Sequence, residues 1–335
     1  MAKKLVLKQF GEAEKAFQIE EFKPAAPEKD QVQIEVVASG LNFADVMARR
    51  GMYGPVNKLP FVLGYDVVGK VLAVGADVDP SWTGKKVLSL TRFGGYASHV
   101  NVPLQAMVPL PDDVEYSEAS SYTTAFLTAY LMAEEYTGLS QGKTALVYSV
   151  AGGVGYFLYH FLKLKGVAVQ PVVGSPSKQE LLKDAGIAEN ILLTHELEEH
   201  KEKYDLIFNA RGGKTVKKDK ARLKQGGKLI MFGAADQLKN GGFFGKLKLL
   251  FGFGFYSPIK LIVKSQSLCG FNLLGLSKEH PILVTNAHKA AVELIHEHGI
   301  KALPANAFSP KQIAEAHALL ESGKSTGKLF VDWRK

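Results

Sequence analysis

The sequence predicts an α/β protein: a doubly wound parallel sheet preceded by a second, mainly β region. Three observations carry this. The stretch Lys143–Tyr156 runs from an apolar, β-forming segment (Ala145–Val150) through the turn Ala151-Gly152-Gly153-Val154-Gly155 into the apolar segment Tyr156–Leu164. Strand, glycine turn and helix in that order make a dinucleotide-binding unit. A second apolar strand, Gly166–Gly174, completes a βαβ setting, and strands and helices keep alternating after it. Residues 1 to about 120 instead hold short strands separated by Gly and Pro, the pattern of a partly closed β domain.

Within the turn, Gly152 and Gly153 let the backbone approach a pyrophosphate, and Val154 lies between them and Gly155. The helix behind offers N–H groups and the positive end of its dipole, while Gly155 lets that helix pack closely on the strand. A tight strand-to-helix turn with no ligand is the bland alternative, and the βαβ setting argues against it.

The chain has 335 residues, enough for two domains, with 46% hydrophobic and 22% charged residues, as in ordinary globular proteins. Lys+Arg exceed Asp+Glu by 41 to 33, a net charge of +8 that is modest for this size. No nucleic-acid motif accompanies it, so nucleic acid is not an expected partner. Cys269 is the single cysteine, which excludes an intrachain disulfide and a cysteine-based zinc site and fits a reduced, cytoplasmic setting. The start, Met-Ala-Lys-Lys, lacks the apolar core of a signal peptide. No apolar run approaches the ~20 residues that cross a bilayer.

In chain order, Gln31–Val37 alternates as a half-buried strand, and Phe61–Gly75 reads as strand, turn and strand. Lys85–Leu90 and Gly95–Val100 add short strands. Ser117–Glu135 reads as one linker helix. After the glycine turn come a helix from Ser175-Pro176 to Ala185, strands at Asn190–Leu193 and Tyr204–Asn209, a helix over Lys214–Lys224 and a strand over Gly227–Gly233. Residues 239–264 break the rhythm with glycines, phenylalanines and Lys246, Lys248, Lys260 and Lys264. Ser267–Phe271 is the next strand. One later helix ends near His298 with Gly299 as its cap. Another starts at Ser309-Pro310, where Ser309 and Gln312 match a capping box, and Lys328–Asp332 closes the chain as a strand.

NAD-preferring folds place an acidic side chain at the end of the second strand, on the ribose 2′-OH. Here that place holds Gly174, then Ser175 and, a turn later, Lys178. A hydroxyl and an ammonium without a carboxylate fit a 2′-phosphate, so the expected cofactor is NADPH. Ser175 also reads as the helix cap ahead of Pro176.

The stretch Asn42-Phe-Ala-Asp45-Val-Met-Ala-Arg49-Arg-Gly51-Met-Tyr53 resembles the N-x-x-D-x-x-x-R-x-G-x-Y pattern of quinone oxidoreductases. These form part of the zinc-independent branch of the medium-chain dehydrogenase/reductase superfamily. Gly64-Tyr-Asp66-Val-Val-Gly69 is similar to the G-x-E-x-x-G turn that follows it. Gly94-Gly-Tyr-Ala97, Thr128-Ala-Tyr130 and the glycine turn fall in the family's order, so the resemblance covers nearly the whole chain. Leu41–Tyr53 and Cys269-Gly-Phe-Asn-Leu273 look most like the vesicle amine transport (synaptic-vesicle membrane) protein group. Asp66 departs from the family's Glu, Ser149 from its first Ala, and Asn209 from a common Asp.

The resemblance implies a Rossmann cofactor domain over 121–267 and a GroES-like catalytic domain over 1–120 and 268–335. It places Asn42 and Tyr53 near the nicotinamide and the substrate carbonyl, with Asp45 the third polar candidate. Tyr53 either donates a hydrogen bond to a developing oxyanion or only covers its turn. Asp45 and Arg49, four residues apart, are expected to pair and shape the site. Thr128 falls near the nicotinamide ribose, and Gly233 approaches the cofactor at the strand ends. Phe271 and Asn272 contact the nicotinamide through their backbone.

No metal site is expected, because His195, His200, His296 and His298 are not spaced as ligands. The expected activity is NADPH-dependent, zinc-independent reduction of a small apolar quinone or α,β-unsaturated carbonyl. The alternative is a weakly active or non-catalytic NADP-binding protein of membrane or vesicle traffic. Residues 239–264 would then serve as a peripheral membrane contact rather than a lid. The family commonly forms homodimers, which is the expectation here.

Overall fold

The computed structural model describes residues 1–53, 55–56, 58–138, 142–187, 189–213, 215–234, 253 and 256–335. The chain opens with β1 (Ala2–Leu7), α1 (Ala13–Ala16), β2 (Phe17–Phe22), β3 (Gln31–Gly40), α2 (Phe43–Arg49) and β4 (Phe61–Val62). Next come β5 (Asp66–Val74), β6 (Lys86–Leu90), β7 (His99–Pro103), β8 (Met107–Pro109), α3 (Tyr116–Ala119) and α4 (Thr124–Thr137). Then β9 (Thr144–Tyr148), α5 (Gly153–Leu164), β10 (Ala168–Val173), α6 (Pro176–Asp184), β11 (Leu192–Leu193), β12 (Tyr204–Asn209), α7 (Thr215–Ala221) and β13 (Leu223–Met231) alternate. The chain continues through α8 (Pro258–Lys264), β14 (Ser267–Gly270), α9 (Leu273–Glu279), α10 (Pro281–Glu297), β15 (Asn306–Phe308), α11 (Ile313–Glu321) and β16 (Leu329–Asp332).

Two compact units result: Met1–Leu127 with Leu273–Lys335, and Thr128–Asn272. The divisions fall inside α4 and just after β14, a few residues from the 120/121 and 267/268 borders expected from sequence. In the second unit every paired strand is parallel, in the order β11-β10-β9-β12-β13-β14. The order reverses at β9, the switch point beside which doubly wound sheets bind ligands. Apolar runs make both faces of this sheet buried: Leu146, Ile207 and Leu229 are fully enclosed on one face, and Val147, Phe208 and Ile230 on the other.

The first unit is mainly β. One sheet runs β15-β16-β3-β5-β6-β8 with β7 also on β3, and a smaller one runs β2-β1-β4. Val32, Ile34 and Val36 alternate along β3 and pack with Val67, Val71 and Val87. Antiparallel pairing of Phe330 with Gly40 brings the start of β16 against the end of β3. The α/β class read from the sequence is the one observed.

Several local expectations shift. The single helix over Ser117–Glu135 is two, α3 and α4, because hydroxyls between them bond locally instead. Ser120 Oγ donates to Ser117 O (2.6 Å) and Thr123 Oγ1 to Ser120 O (2.9 Å). The strand expected over Gly95–Val100 begins at His99, with Ala97 making one isolated bridge to Lys4. The helix over Lys214–Lys224 is Thr215–Ala221, since Leu223 already pairs with Tyr204 as the start of β13 (Lys214 lies outside the described residues). β11 is only Leu192–Leu193. The capping box at Ser309 and the cap at Gly299, with φ +61°, are present. Of the 239–264 segment, Lys246 and Lys248 lie outside the described residues, while Lys260 and Lys264 stand in α8.

Candidate functional site

Chemistry-bearing groups gather in each unit, and the mainly β unit has the denser cluster. Asn42 is the N-cap of α2 and Asp45 its third helical residue, so the carboxylate folds back on its own helix start. Asp45 Oδ2 accepts from Asn42 N at 2.9 Å and Oδ1 from Gly64 N at 3.1 Å. One side chain thus ties the helix start to the turn ahead of β5. Asp45 is fully buried. Burial, with nearby Asp66 adding to it, pushes its pKa up to about 7 against the bonds from Asn42 and Gly64.

The expected Asp45–Arg49 pair does not form. Asp45 points to the N-terminal end of α2, whereas the fully buried Arg49 pairs with Glu321 and donates to Gly11 O. Arg49 thus clamps α2 to α11.

Asp66, the first residue of β5, is enclosed at 0% exposure, and Lys328 reaches it at 3%. Lys328 Nζ donates to Asn42 Oδ1 at 2.8 Å and lies 3.6 Å from Asp66 Oδ2. Asn42 Nδ2 donates to the same Oδ2 at 2.8 Å, and Thr124 N approaches it at 3.3 Å. Burial works against the Asp66 carboxylate, but Lys328, Thr124 and Asn42 outweigh it and hold its pKa below the ordinary value. Asp66 Oδ1 is buried without a hydrogen-bond partner.

Tyr53 is half-buried, its ring 6.2 Å from that of Tyr65 and edge-on to it. Burial raises its pKa, and nearby Asp45 adds to the rise, so the phenol is neutral at pH 7. Tyr65 in turn packs on Phe93, which meets Phe61 edge-on.

In the parallel-sheet unit, backbone geometry dominates. Gly152 is the N-cap of α5, and its N–H donates to Ser149 O at 2.9 Å. A Cβ on Gly155 would lie 2.4 Å from Ser149 O and 2.8 Å from Val150 Cα, so only glycine lets α5 start this close to the turn. Ser149 itself has φ +58°, a left-handed conformation unusual for a residue with a side chain. Gly153 and Val154 form the first turn of α5, where helical N–H groups lack helical acceptors.

Gly174 is exposed beyond β10, and Ser175 holds the N-cap position of α6 without making a capping bond. Its hydroxyl instead meets Ser177 Oγ at 3.0 Å. Lys178 stands in the first turn of α6, and partial burial lowers its pKa. No carboxylate occupies residues 174–179.

The ends of β13 and β14 border an open cleft of about 400 Å³, lined by Phe232, Gly233, Phe253, Gly270, Phe271 and Asn272 among others. Three of the expected cofactor residues, Gly233, Phe271 and Asn272, therefore meet. A Cβ on Gly233 would sit 2.4 Å from Ala210 O, which fixes glycine there. Thr128 lies in α4 at 9% exposure, apart from this lining.

Asn209 settles the role left open by its departure from Asp. Its Oδ1 accepts from Arg211 N (2.8 Å) and Gly212 N (2.7 Å), and its Nδ2 donates to Thr215 Oγ1 (2.8 Å) and buried Asp219 (2.5 Å). Tyr148 OH also donates to Asp219 (2.6 Å). This network braces the loop after β12 from behind.

Reading the sequence missed Lys328, Phe253 and Asp219. Lys328 looks like the polar start of a strand, and its partners lie far away in sequence. Phe253 follows a long stretch with no periodicity.

Comparison with known proteins matches residues 28–112 to the "Alcohol dehydrogenase GroES-like domain" and residues 189–331 to the "Zinc-binding dehydrogenase" family. Among the described residues, no three His, Cys, Asp or Glu side chains are grouped to hold a metal. The chain is 29% identical over 336 residues to the synaptic vesicle membrane protein VAT-1 homolog of Danio rerio, covering 98% of this chain and 69% of that protein. It is 28% identical over 323 residues to a phenolphthiocerol/phthiocerol polyketide synthase of Mycobacterium tuberculosis, covering 94% of this chain but spanning only 14% of that protein. The Thermus thermophilus quinone oxidoreductase, solved also in complex with NADPH, superposes with a TM-score of 0.80 at 26% identity, covering 98% and 99% of the two chains.

Proposed function

Because the chain belongs to the medium-chain dehydrogenase/reductase superfamily, as a quinone oxidoreductase-like member, we propose that it reduces a quinone or an α,β-unsaturated carbonyl with NADPH and without zinc. The observation that carries this reading is the end of β10. Gly174, Ser175 and Lys178 stand where an NAD-preferring fold has its carboxylate, and a 2′-phosphate suits a hydroxyl and an ammonium. The complex of the Thermus relative with NADPH supports the same cofactor.

The residues present fit such a cofactor. Gly152, Gly155 and Gly233 keep side chains out of the strand-end surface, and the first turn of α5 offers N–H groups to a pyrophosphate. When bound, NADPH supplies the hydride for the β-carbon of an enone or the ring of a quinone. Phe232, Phe253 and Phe271 give the cleft at the strand ends an apolar wall. Tyr53, neutral at pH 7, or water then gives the proton to the developing oxyanion, so that each acceptor gains one hydride and one proton.

NADPH oxidation with a panel of quinones and enones, with NADPH and NADH binding measured separately, tests the reading. Turnover with NADPH preferred over NADH is the expected result. Binding without turnover favours a second reading, a weakly active or non-catalytic protein of membrane or vesicle traffic. That reading draws support from α8, where Ile259, Ile262 and Val263 are 70–75% exposed beside Lys260 and Lys264. Liposome sedimentation after neutralising Lys246, Lys248, Lys260 and Lys264 tests it, and unchanged binding would end it.

A further inference from the structure

Lys328 is the one residue of the Asn42 cluster that neither the motif nor the family resemblance marks. We infer that Lys328 is a positioning residue for the proposed reduction, its buried ammonium fixing the side-chain amide of Asn42. The inference rests on the proposed reduction and on the family resemblance, which places Asn42 near the nicotinamide and the substrate carbonyl.

The geometry leaves the Asn42 amide little freedom. Its oxygen accepts from Lys328 Nζ at 2.8 Å while its nitrogen donates to Asp66 Oδ2 at 2.8 Å. An ammonium only donates and a carboxylate only accepts, so the pair dictates which end of the amide faces which partner. A flipped Asn42 would set its NH2 against the ammonium and its oxygen against the carboxylate, losing both bonds. Lys328 and Asp66 are also 3.6 Å apart, closing a triangle of three side chains that are 8% exposed or less.

The backbone makes room for this triangle. A Cβ on Gly40 would lie 2.0 Å from Asp66 Oδ1 and 2.7 Å from Lys328 Cε. The pairing of β16 with β3 delivers Lys328 to that spot from the far end of the chain. A lysine at the surface start of a strand would need neither the glycine nor the enclosure.

The test uses Lys328→Met and Lys328→Met/Asp66→Asn in the full chain. Lys328→Met leaves Asp66 uncompensated and lowers the Tm; the second substitution removes that charge. We expect the double variant to recover the Tm while kcat stays down on the order of 100-fold, with NADPH Kd near wild type. A merely structural lysine would give back stability and kcat together, and that outcome overturns the inference. So does a loss of NADPH affinity matching the loss of kcat.

A second readout needs no turnover. The Asn42 side-chain 15N–1H2 signals, assigned by their loss in Asn42→Asp, should shift in both Lys328 variants. Unmoved signals overturn the inference. If the wild-type protein reduces none of the quinones or enones, the proposed reduction fails, and the Asn42 signals alone still decide whether Lys328 fixes the amide.

Discussion

In the mainly β unit the polar atoms of the candidate site belong to the side chains of Asn42, Asp45, Asp66 and Lys328, none more than 8% exposed. In the parallel-sheet unit they belong to the backbone, at Gly152, the first turn of α5 and the strand ends around Gly233, with Asn209 and Asp219 bracing them from behind. The first arrangement is sensitive to charge, because an enclosed ion that loses its partner cannot turn to water. The second is sensitive to volume, because its groups are presented only where a Cβ is missing. Charge changes should therefore damage one unit and added methyl groups the other.

The largest expected effect is Asp66→Ala, which strands the ammonium of Lys328 and should cost about 3–5 kcal/mol. Its counterpart in the parallel-sheet unit is the Lys224–Asp205 pair, at 2.9 Å with side chains 40% and 27% exposed. There, solvent screening keeps the loss from Lys224→Ala within ~1 kcal/mol. Urea denaturation of both variants makes the comparison, and similar losses would refute the contrast.

Asp45 sharpens it through pH. Its pKa in the folded chain, raised by burial to about 7 from 3.8, means the native state keeps a proton that the unfolded chain has already lost between those values. The stability that this proton contributes is full below the unfolded pKa and disappears as pH rises through the folded one. Wild-type stability should therefore fall on going from pH 4 to 7, with a slope of up to ~1.4 kcal/mol per pH unit from this group. Asp45→Asn should remove that slope, so the difference in stability between the two proteins should vary with pH. A constant difference would show that Asp45 is ionised throughout.

The same contrast explains what could be read from the sequence. The glycine turn is legible because strand, turn and helix are contiguous, and each glycine marks a local backbone need. Gly155 facing Ser149 O is such a case. The Asn42–Asp66–Lys328 triangle is not legible, since its third member arrives 286 residues after the first. Asp45–Arg49 was misread because i,i+4 spacing suggests a pair, while a carboxylate in the first helical turn has unpaired N–H groups closer at hand. Ser120 and Thr123 broke the expected linker helix by bonding to carbonyls of their own turn, a choice that composition does not display.

Smaller effects probe the backbone-built half. Gly155→Ala should cost about 1–3 kcal/mol, because its Cβ meets backbone atoms at 2.4 and 2.8 Å and not a yielding side-chain tip. Gly174→Ala should stay within ~0.5 kcal/mol, since nothing lies within 4 Å of the added carbon. Thermal unfolding of the two variants separates them. Equal shifts would mean that the start of α5 can move aside and the glycine cradle is softer than its geometry.

The last contrast concerns cofactor affinity at the end of β10, where the backbone-built unit does rely on side chains. Lys178→Ala should weaken NADPH binding about tenfold, or ~1.4 kcal/mol, and leave NADH binding within about twofold of wild type. The ammonium's attraction is for the 2′-phosphate, which NADH lacks. Partial burial already disfavours the charged lysine, so a bound phosphate would raise the pKa of Lys178 again. The preference for NADPH should therefore weaken at high pH in the wild type and not in Lys178→Ala. If both cofactors lose affinity equally, Lys178 supports α6 rather than reading the phosphate, and the end of β10 joins the rest of its unit as a site made of backbone.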